Sequence, residues 1–272
     1  MGADGELRDR QGRLDVLIDR RDLLETAREK NLPITIIEKD YVLGWLLFGF
    51  SGVTDLVLKG GTALSKFYFP QIWRLSEDLD FVFLGTDFKK VVTVLDKVFE
   101  SVHENSGINF RLKSEYSNPE YLQLKIQYDA VIGKNWAKVD VTREKPIDRV
   151  VEKELQRVYS DYPGFSTKLE TVEEILAQKL RAILERQKCR DYYDVWKLLE
   201  LEIDLQHVRT LFERKCEFKD IEFAGSHQFF PADILEVLRP YWERELGRLL
   251  QPLPSLETVV SELKKKLQSV MV

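Results

Sequence analysis

Hydrophobic positions along this chain change period twice. Residues 13 to 30 read as a charged helix. Pro33 opens the next helix, because its missing N–H costs nothing in a first turn. Ile36, Ile37, Val42, Leu43 and Leu46 carry that helix to a stop at Gly49 to Gly52. Residues 55 to 59 (DLVLK) read as a short buried strand, 62 to 68 as a short helix, and 79 to 84 (LDFVFL) as a second strand. Val91, Val94, Leu95, Val98, Phe99 and Val102 then recur at helical spacing across 87 to 104. After Gly107 the period falls to two. Leu122, Leu124, Ile126 and Tyr128 alternate with Gln123, Lys125 and Gln127, with 108 to 115 as the hairpin partner. In 136 to 142, Ala137, Val139 and Val141 share one face, and Trp136, Lys138 and Asp140 the other.

The segment 143 to 168 is highly charged, holds Pro146, Pro163 and Gly164, and reads as a boundary. Beyond it the period is helical. Thr171 to Glu174 is a capping-box signature, followed by Ile175, Leu176, Leu180 and Ile183. Further helices fit 190 to 200, 204 to 216, 231 to 249 and 255 to 270. The pattern predicts an α+β fold: a mixed sheet with flanking helices in residues 1 to 150, then an α-helical lobe in 151 to 272.

Composition narrows the function classes. With 44% hydrophobic, 11% aromatic and 32% charged residues, the 272-residue chain is neither disordered, collagen-like nor histone-like. Its formal net charge of −5 still permits nucleic-acid contact through a local patch. Two cysteines, Cys189 and Cys216, cannot build a zinc cage or a disulfide framework and read as reduced thiols. His103, His207 and His227 are too scattered for a His-based metal site or a catalytic triad. The most apolar stretch, 41 to 58, is broken by Gly44, Gly49, Ser51, Gly52, Thr54 and Asp55, so it reads as a helix end, a turn and a strand, not a membrane span. The polar start lacks the apolar core of a signal peptide, which points to the cytoplasm.

The most informative chemistry lies in KGGTALSKFYFPQIWRLSEDLD, residues 59 to 80. Asp78 and Asp80 are two apart on a strand, so their side chains point the same way. Two crowded carboxylates need a cation, and Mg²⁺ (or Mn²⁺) takes hard oxygen ligands together with substrate phosphates. Asp140 is a candidate third metal carboxylate; alone, it reads as a salt-bridge partner of Lys138. Gly60 and Gly61 sit between a strand and a helix, where glycines let backbone approach a phosphate and a helix start offers free N–H groups. Thr62, Arg74 and Ser76 are further candidates for phosphate oxygens.

Residues 179 to 190 hold Lys179, Arg181, Arg186, Lys188 and Arg190 against one acid, Glu185. Lys179 lies four residues from both Ile175 and Ile183, so it projects from the apolar stripe and needs a partner there, a triphosphate or the acidic cluster. Arg186 falls on about the same face. Asp191 reads either as a helix cap or, like Asp194, as a group that orients Lys179.

Together, LKGGTALSKFY, RLSEDLDF, KVDVT and EEILAQKLRAILERQKCRDYYDVW resemble the AbiEii family, with EKDYVL resembling its lead-in helix. The resemblance spans roughly residues 34 to 200. These are nucleotidyltransferase-fold proteins, many of them toxins of abortive-infection toxin–antitoxin pairs, and the family is similar to the polymerase-β-like nucleotidyltransferases. The resemblance implies a triphosphate site at Gly60, Gly61 and Thr62, metal carboxylates at Asp78, Asp80 and Asp140, and a helical-lobe lysine at Lys179 with the RDxYD aspartates Asp191 and Asp194. It also implies transfer of NMP from an NTP to an RNA hydroxyl such as a tRNA 3′ end, or to a protein, and a cognate antitoxin. Rival readings are a phosphotransferase acting on protein or nucleotide, although neither a Walker loop nor the kinase motif set is present, and a non-catalytic nucleotide-binding regulator.

Overall fold

The computed structural model describes residues 18–69, 71, 74–143 and 147–270. The polar start, residues 13 to 17 of the expected first helix, and Pro146 lie outside the described residues.

Seven strands form one mixed sheet: β1 (Leu56–Lys59), β2 (Asp78–Phe83), β3 (Asn109–Asn118), β4 (Tyr121–Asp129), β5 (Lys134–Thr142), β6 (Val150–Glu154) and β7 (Ser166–Glu170). Their order is β3-β4-β5-β2-β1-β7-β6. The hairpins β3–β4 and β4–β5 run antiparallel, whereas β2 lies parallel to β5 and β7 parallel to β1. The alternation seen in sequence is the alternation in space. Leu122, Leu124, Ile126, Ala137, Val139 and Val141 are all fully buried, and the residues between them are not.

The segment that reads as a boundary instead supplies β6 and β7. The strand β6, VVEKE, is a sheet edge with every residue exposed or half-exposed. An edge strand carries charge rather than an apolar face, so its hydrophobic signal is thin. The sheet therefore extends to Glu170, past the expected limit at 150, and the helices begin at Val172.

Before the sheet come α1 (Arg20–Lys30), opened by a capping box between Asp19 and Asp22, and α2 (Ile34–Ser51), with Pro33 at its N-cap. The helix α2 is buried on nearly every side, which explains its near-continuous apolar composition. A Cβ at Gly44 would stand 2.0 Å from the Tyr162 hydroxyl, so glycine is what lets the 159–162 turn pack against this helix. After β1, α3 (Gly60–Ala63) runs directly into a π-helical turn, Leu64–Tyr68. The expected helix over 87 to 104 divides at Val94 into α4 (Lys89–Thr93) and α5 (Leu95–Ser106).

The C-terminal helices are α6 (Val172–Arg186), α7 (Cys189–Leu198), α8 (Leu205–Phe218), α9 (Ile234–Leu246) and α10 (Leu256–Val270). Thr171 caps α6 by accepting from Glu174 N at 3.3 Å. The reciprocal half of the capping box is absent. The Glu174 carboxylate forms a buried ion pair with Lys215 at 2.6 Å, joining α6 to α8. Cys189 and Cys216 are buried and unbridged. Among the described residues, no helix is long and apolar enough to cross a membrane.

Candidate active site

Sheet register assembles the acids. The parallel pairing of β2 with β5 sets Asp78 beside Lys138 and Asp80 beside Asp140. Alternation then sends Leu79, Phe81, Val139 and Val141 into the core and the four charged side chains to the opposite face. Lys59, at the end of β1, lies opposite Asp80.

Asp140 is held from three directions. Its Oδ1 accepts from the Tyr121 hydroxyl at 2.7 Å and from Gln123 Nε2 at 3.2 Å. Its Oδ2 lies 2.8 Å from Lys138 Nζ, which is also 3.8 Å from Asp78 Oδ2. The salt-bridge reading of Asp140 is thus realised. Burial pushes the Asp78 and Asp80 carboxyls above the usual carboxylate range. Lys138 opposes this at Asp78 and Lys59 at Asp80, but the crowding of Asp80 on Asp78 and of Asp140 on Asp80 adds to it. The nearby cations offset less than burial and crowding together impose.

The donor set, three carboxylates, has the hard-oxygen chemistry of a Mg²⁺ site. Among the described residues, however, no three metal-ligating side chains converge on one point. The three carboxylates share one face and one cavity without converging on a single point as folded. The Lys138 ammonium stands among these carboxylates, and Asp140 is committed to it and to Tyr121 and Gln123.

The glycine turn lies against this row. Gly60 has φ +69, a left-handed conformation that glycine adopts without strain. A Cβ there would approach Asp80 Oδ2 to 3.1 Å. At Gly61 a Cβ would meet Arg74 Nη2 at 2.8 Å and Ser76 Oγ at 3.2 Å. Thr62 is fully buried and donates its hydroxyl to the Asp78 carbonyl at 2.5 Å. It ties the turn to β2 and does not face the cavity, contrary to the expectation that it offers a hydroxyl to phosphate.

The other wall comes from α6 and α7. Asp194 and Asp191 have no solvent exposure. Arg74 grips Asp194 with Nε at 2.6 Å and Nη2 at 2.8 Å, across 120 residues of sequence. Lys179 Nζ bridges Asp194 Oδ2 at 2.8 Å and Asp191 Oδ1 at 3.0 Å. Arg186 closes the series with two bonds to Asp191, at 2.8 and 3.0 Å. Burial pushes the Asp191 carboxyl up, but Lys179 and Arg186 more than offset it and hold it at about 2. Burial likewise opposes the Lys179 charge, and Asp194 and Asp191 overcome it, so this lysine stays charged. Asp191 is the third residue of α7 and not its cap; orienting Lys179 is what its carboxylate does.

Between these walls lies an open cavity of about 380 Å³. Its lining includes Gly61, Arg74, Ser76, Asp78, Asp80, Asp140, Lys179, Arg186 and Asp191, which sequence reasoning named, and Lys188 and Arg190 from the basic run. Gly60, Thr62 and Asp194 stand behind it and support it. Arg74 reaches the lining, but its guanidinium is occupied by Asp194 and the Leu75 carbonyl. Arg181 turns away and pairs with Glu185. Tyr121, Gln123 and the bridging role of Lys138 were missed. Tyr121 and Gln123 belong to the same alternating face as Lys125 and Gln127, and only the β4–β5 register, which pairs Gln123 with Asp140, marks them out.

No curated protein matches the sequence. Solved structures share the fold. MenT4, a nucleotidyltransferase toxin from Mycobacterium tuberculosis H37Rv, superposes with a TM-score of 0.68 at 20% identity, over 92% of this chain and 88% of its own. JHP933 from Helicobacter pylori does so with a TM-score of 0.59 at 20% identity, over 88% and 93%. The sequence profile described as nucleotidyl transferase AbiEii toxin, type IV TA system, matches residues 45–268, which takes in both walls of the cavity and the C-terminal helices, and the chain belongs to that family.

Proposed function

We propose that this chain moves a nucleoside monophosphate from an NTP to a hydroxyl at the 3′ end of an RNA such as tRNA, and that it acts as the toxin of a pair with a cognate antitoxin. The observation that carries the reading is a single cavity with an under-compensated carboxylate row on one wall and ordered cations on the other. The reactants, NTP and RNA, put this activity in the cytoplasm.

Asp78 and Asp80, with Asp140, would hold the divalent cation, Mg²⁺ or Mn²⁺, which when bound neutralises phosphate charge and polarises the reacting phosphoryl group. The chain's own residues do the rest. Lys179 and Arg186, each fixed by Asp191, present positive charge to the triphosphate without reorganising when it arrives. The Gly61 backbone, with no Cβ, leaves the phosphate wall open. Tyr121 and Gln123 keep the Asp140 carboxylate aimed while Lys138 releases it. Asp140 then accepts the proton of the attacking hydroxyl. A new bond forms from that oxygen to the α-phosphorus, the α–β bridging bond breaks, and pyrophosphate leaves toward the Lys179–Arg186 wall.

Incubation with α-labelled NTPs, Mg²⁺ and total RNA tests this directly. Label is expected on RNA with wild type and not with Asp80→Asn. Label arriving only from γ-labelled NTP identifies a phosphotransferase instead. NTP binding without any transfer identifies the regulator.

A further inference from the structure

A second cavity, of about 560 Å³, joins the first through Asp78 and Lys138, which line both. Its outer wall is Trp136, a tryptophan left 37% exposed beside a charged site. Trp136 lies on β5 two residues before Lys138 and four before Asp140, on the face that carries both. Lys125 Nζ stands 4.0 Å from its ring centroid and Lys39 Nζ 4.9 Å. Among the described residues neither ammonium has an ion-pair partner. The charge of Lys39 also reaches Asp78, whose carboxyl it helps keep ionised. An exposed ring carrying two ammoniums that no carboxylate pairs with is the composition of a platform for an unpaired nucleic-acid strand, where a base takes the place of a lysine on the ring and the displaced charge meets a flanking phosphate.

We infer that Trp136, with Lys39 and Lys125, binds the unpaired end of the RNA acceptor and delivers its terminal hydroxyl to Asp140. The inference rests on the RNA-acceptor reading and names the residues that would recognise it. In-line displacement favours the RNA end over the NTP base as the occupant, because the attacking hydroxyl approaches opposite the leaving pyrophosphate, from the flank away from the Lys179–Arg186 wall. The strands run β5-β2-β1, with the glycine turn and the Lys179–Arg186 wall beyond β1 and Trp136 on the β5 side. The triphosphate and Trp136 are thus on opposite flanks of the carboxylate row. Four residues of strand separate Trp136 from Asp140, about 13 Å at the usual rise per residue, which is the reach of a short unpaired tail.

The test measures binding of a fluorescent single-stranded oligoribonucleotide to the full chain by anisotropy, without NTP or metal. Trp136→Ala is expected to weaken binding about tenfold, in line with the loss of one stacked base. Trp136→Phe retains a stacking face and stays within about threefold. The affinity for Mg²⁺–ATP, read by calorimetry, is expected to be the same in all three proteins. Lys39→Ala and Lys125→Ala each lower the slope of log affinity against log salt by about 0.7. RNA affinity unchanged in Trp136→Ala overturns the inference, as does a loss of ATP affinity in its place. Trp136-dependent RNA binding with no label transfer leaves the platform standing and overturns the transfer reading alone.

Discussion

Two sets of aspartates belong to opposite walls of the cavity, and their electrostatic conditions differ. Asp191 and Asp194 are completely buried, yet each is bound by two cations from the chain itself. Asp78 and Asp80 keep some solvent exposure, yet burial pushes their carboxyls up, because Lys138 and Lys59 do not offset it. Burial alone therefore does not decide the state of a carboxylate; the supply of partners does. The helical wall is complete as folded and serves to hold Lys179 and Arg186 still. The strand wall is incomplete as folded and is built to take positive charge from solution.

The largest effect expected from this contrast is on stability. Asp194→Ala strands the Arg74 and Lys179 charges in a buried site and is expected to cost about 3–5 kcal/mol, measured by denaturant unfolding. Asp80→Asn removes a charge that was already under-compensated. Its unfolding free energy is expected to match or slightly exceed that of wild type, while nucleotidyl transfer falls by roughly a thousandfold. If both variants lose stability equally, the contrast fails.

Acid separates the two walls next. The Asp191 carboxyl is held at about 2 against an ordinary 3.8. Its ion pairs therefore contribute fully above the ordinary value, and the contribution is lost as pH falls from 3.8 toward 2, about 2 kcal/mol in all. Asp78 and Asp80 have raised values, so they favour the folded state at low pH and lose that contribution as pH rises through them. Unfolding curves between pH 2 and 5 are expected to be flatter for Asp191→Asn than for wild type. The smallest effect is at Lys138, whose ammonium competes with any added cation for Asp140 and Asp78. Lys138→Met is expected to tighten Mn²⁺ binding a few-fold, about 1 kcal/mol, read by calorimetry.

The periodic elements were legible in sequence because burial on one face imposes a pattern. The strands with Leu122 to Tyr128 and Ala137 to Val141, and the helices from Val172 onward, follow it. The strand β6 escaped because an edge strand has little to bury. The acid row was legible because i and i+2 spacing on a strand fixes direction without tertiary knowledge. Partners were not. Nothing local links Arg74 to Asp194, and Gln123 reads like any outward residue until the register places it beside Asp140. Thr62 shows the same limit: its position in the glycine turn suggested phosphate, whereas the fold spends its hydroxyl on the Asp78 carbonyl. Sequence located the chemistry; side-chain direction and pairing came from the fold.

The most direct test of the under-compensated row is the thermal unfolding midpoint with ATP, with and without Mg²⁺, for wild type and Asp80→Asn at neutral pH. A ligand that binds only the folded chain raises the midpoint in proportion to its binding. Mg²⁺ is expected to add to the ATP-dependent rise in wild type and to add nothing in Asp80→Asn. An equal Mg²⁺-dependent rise in both proteins would contradict the claim that this row is where the cation binds.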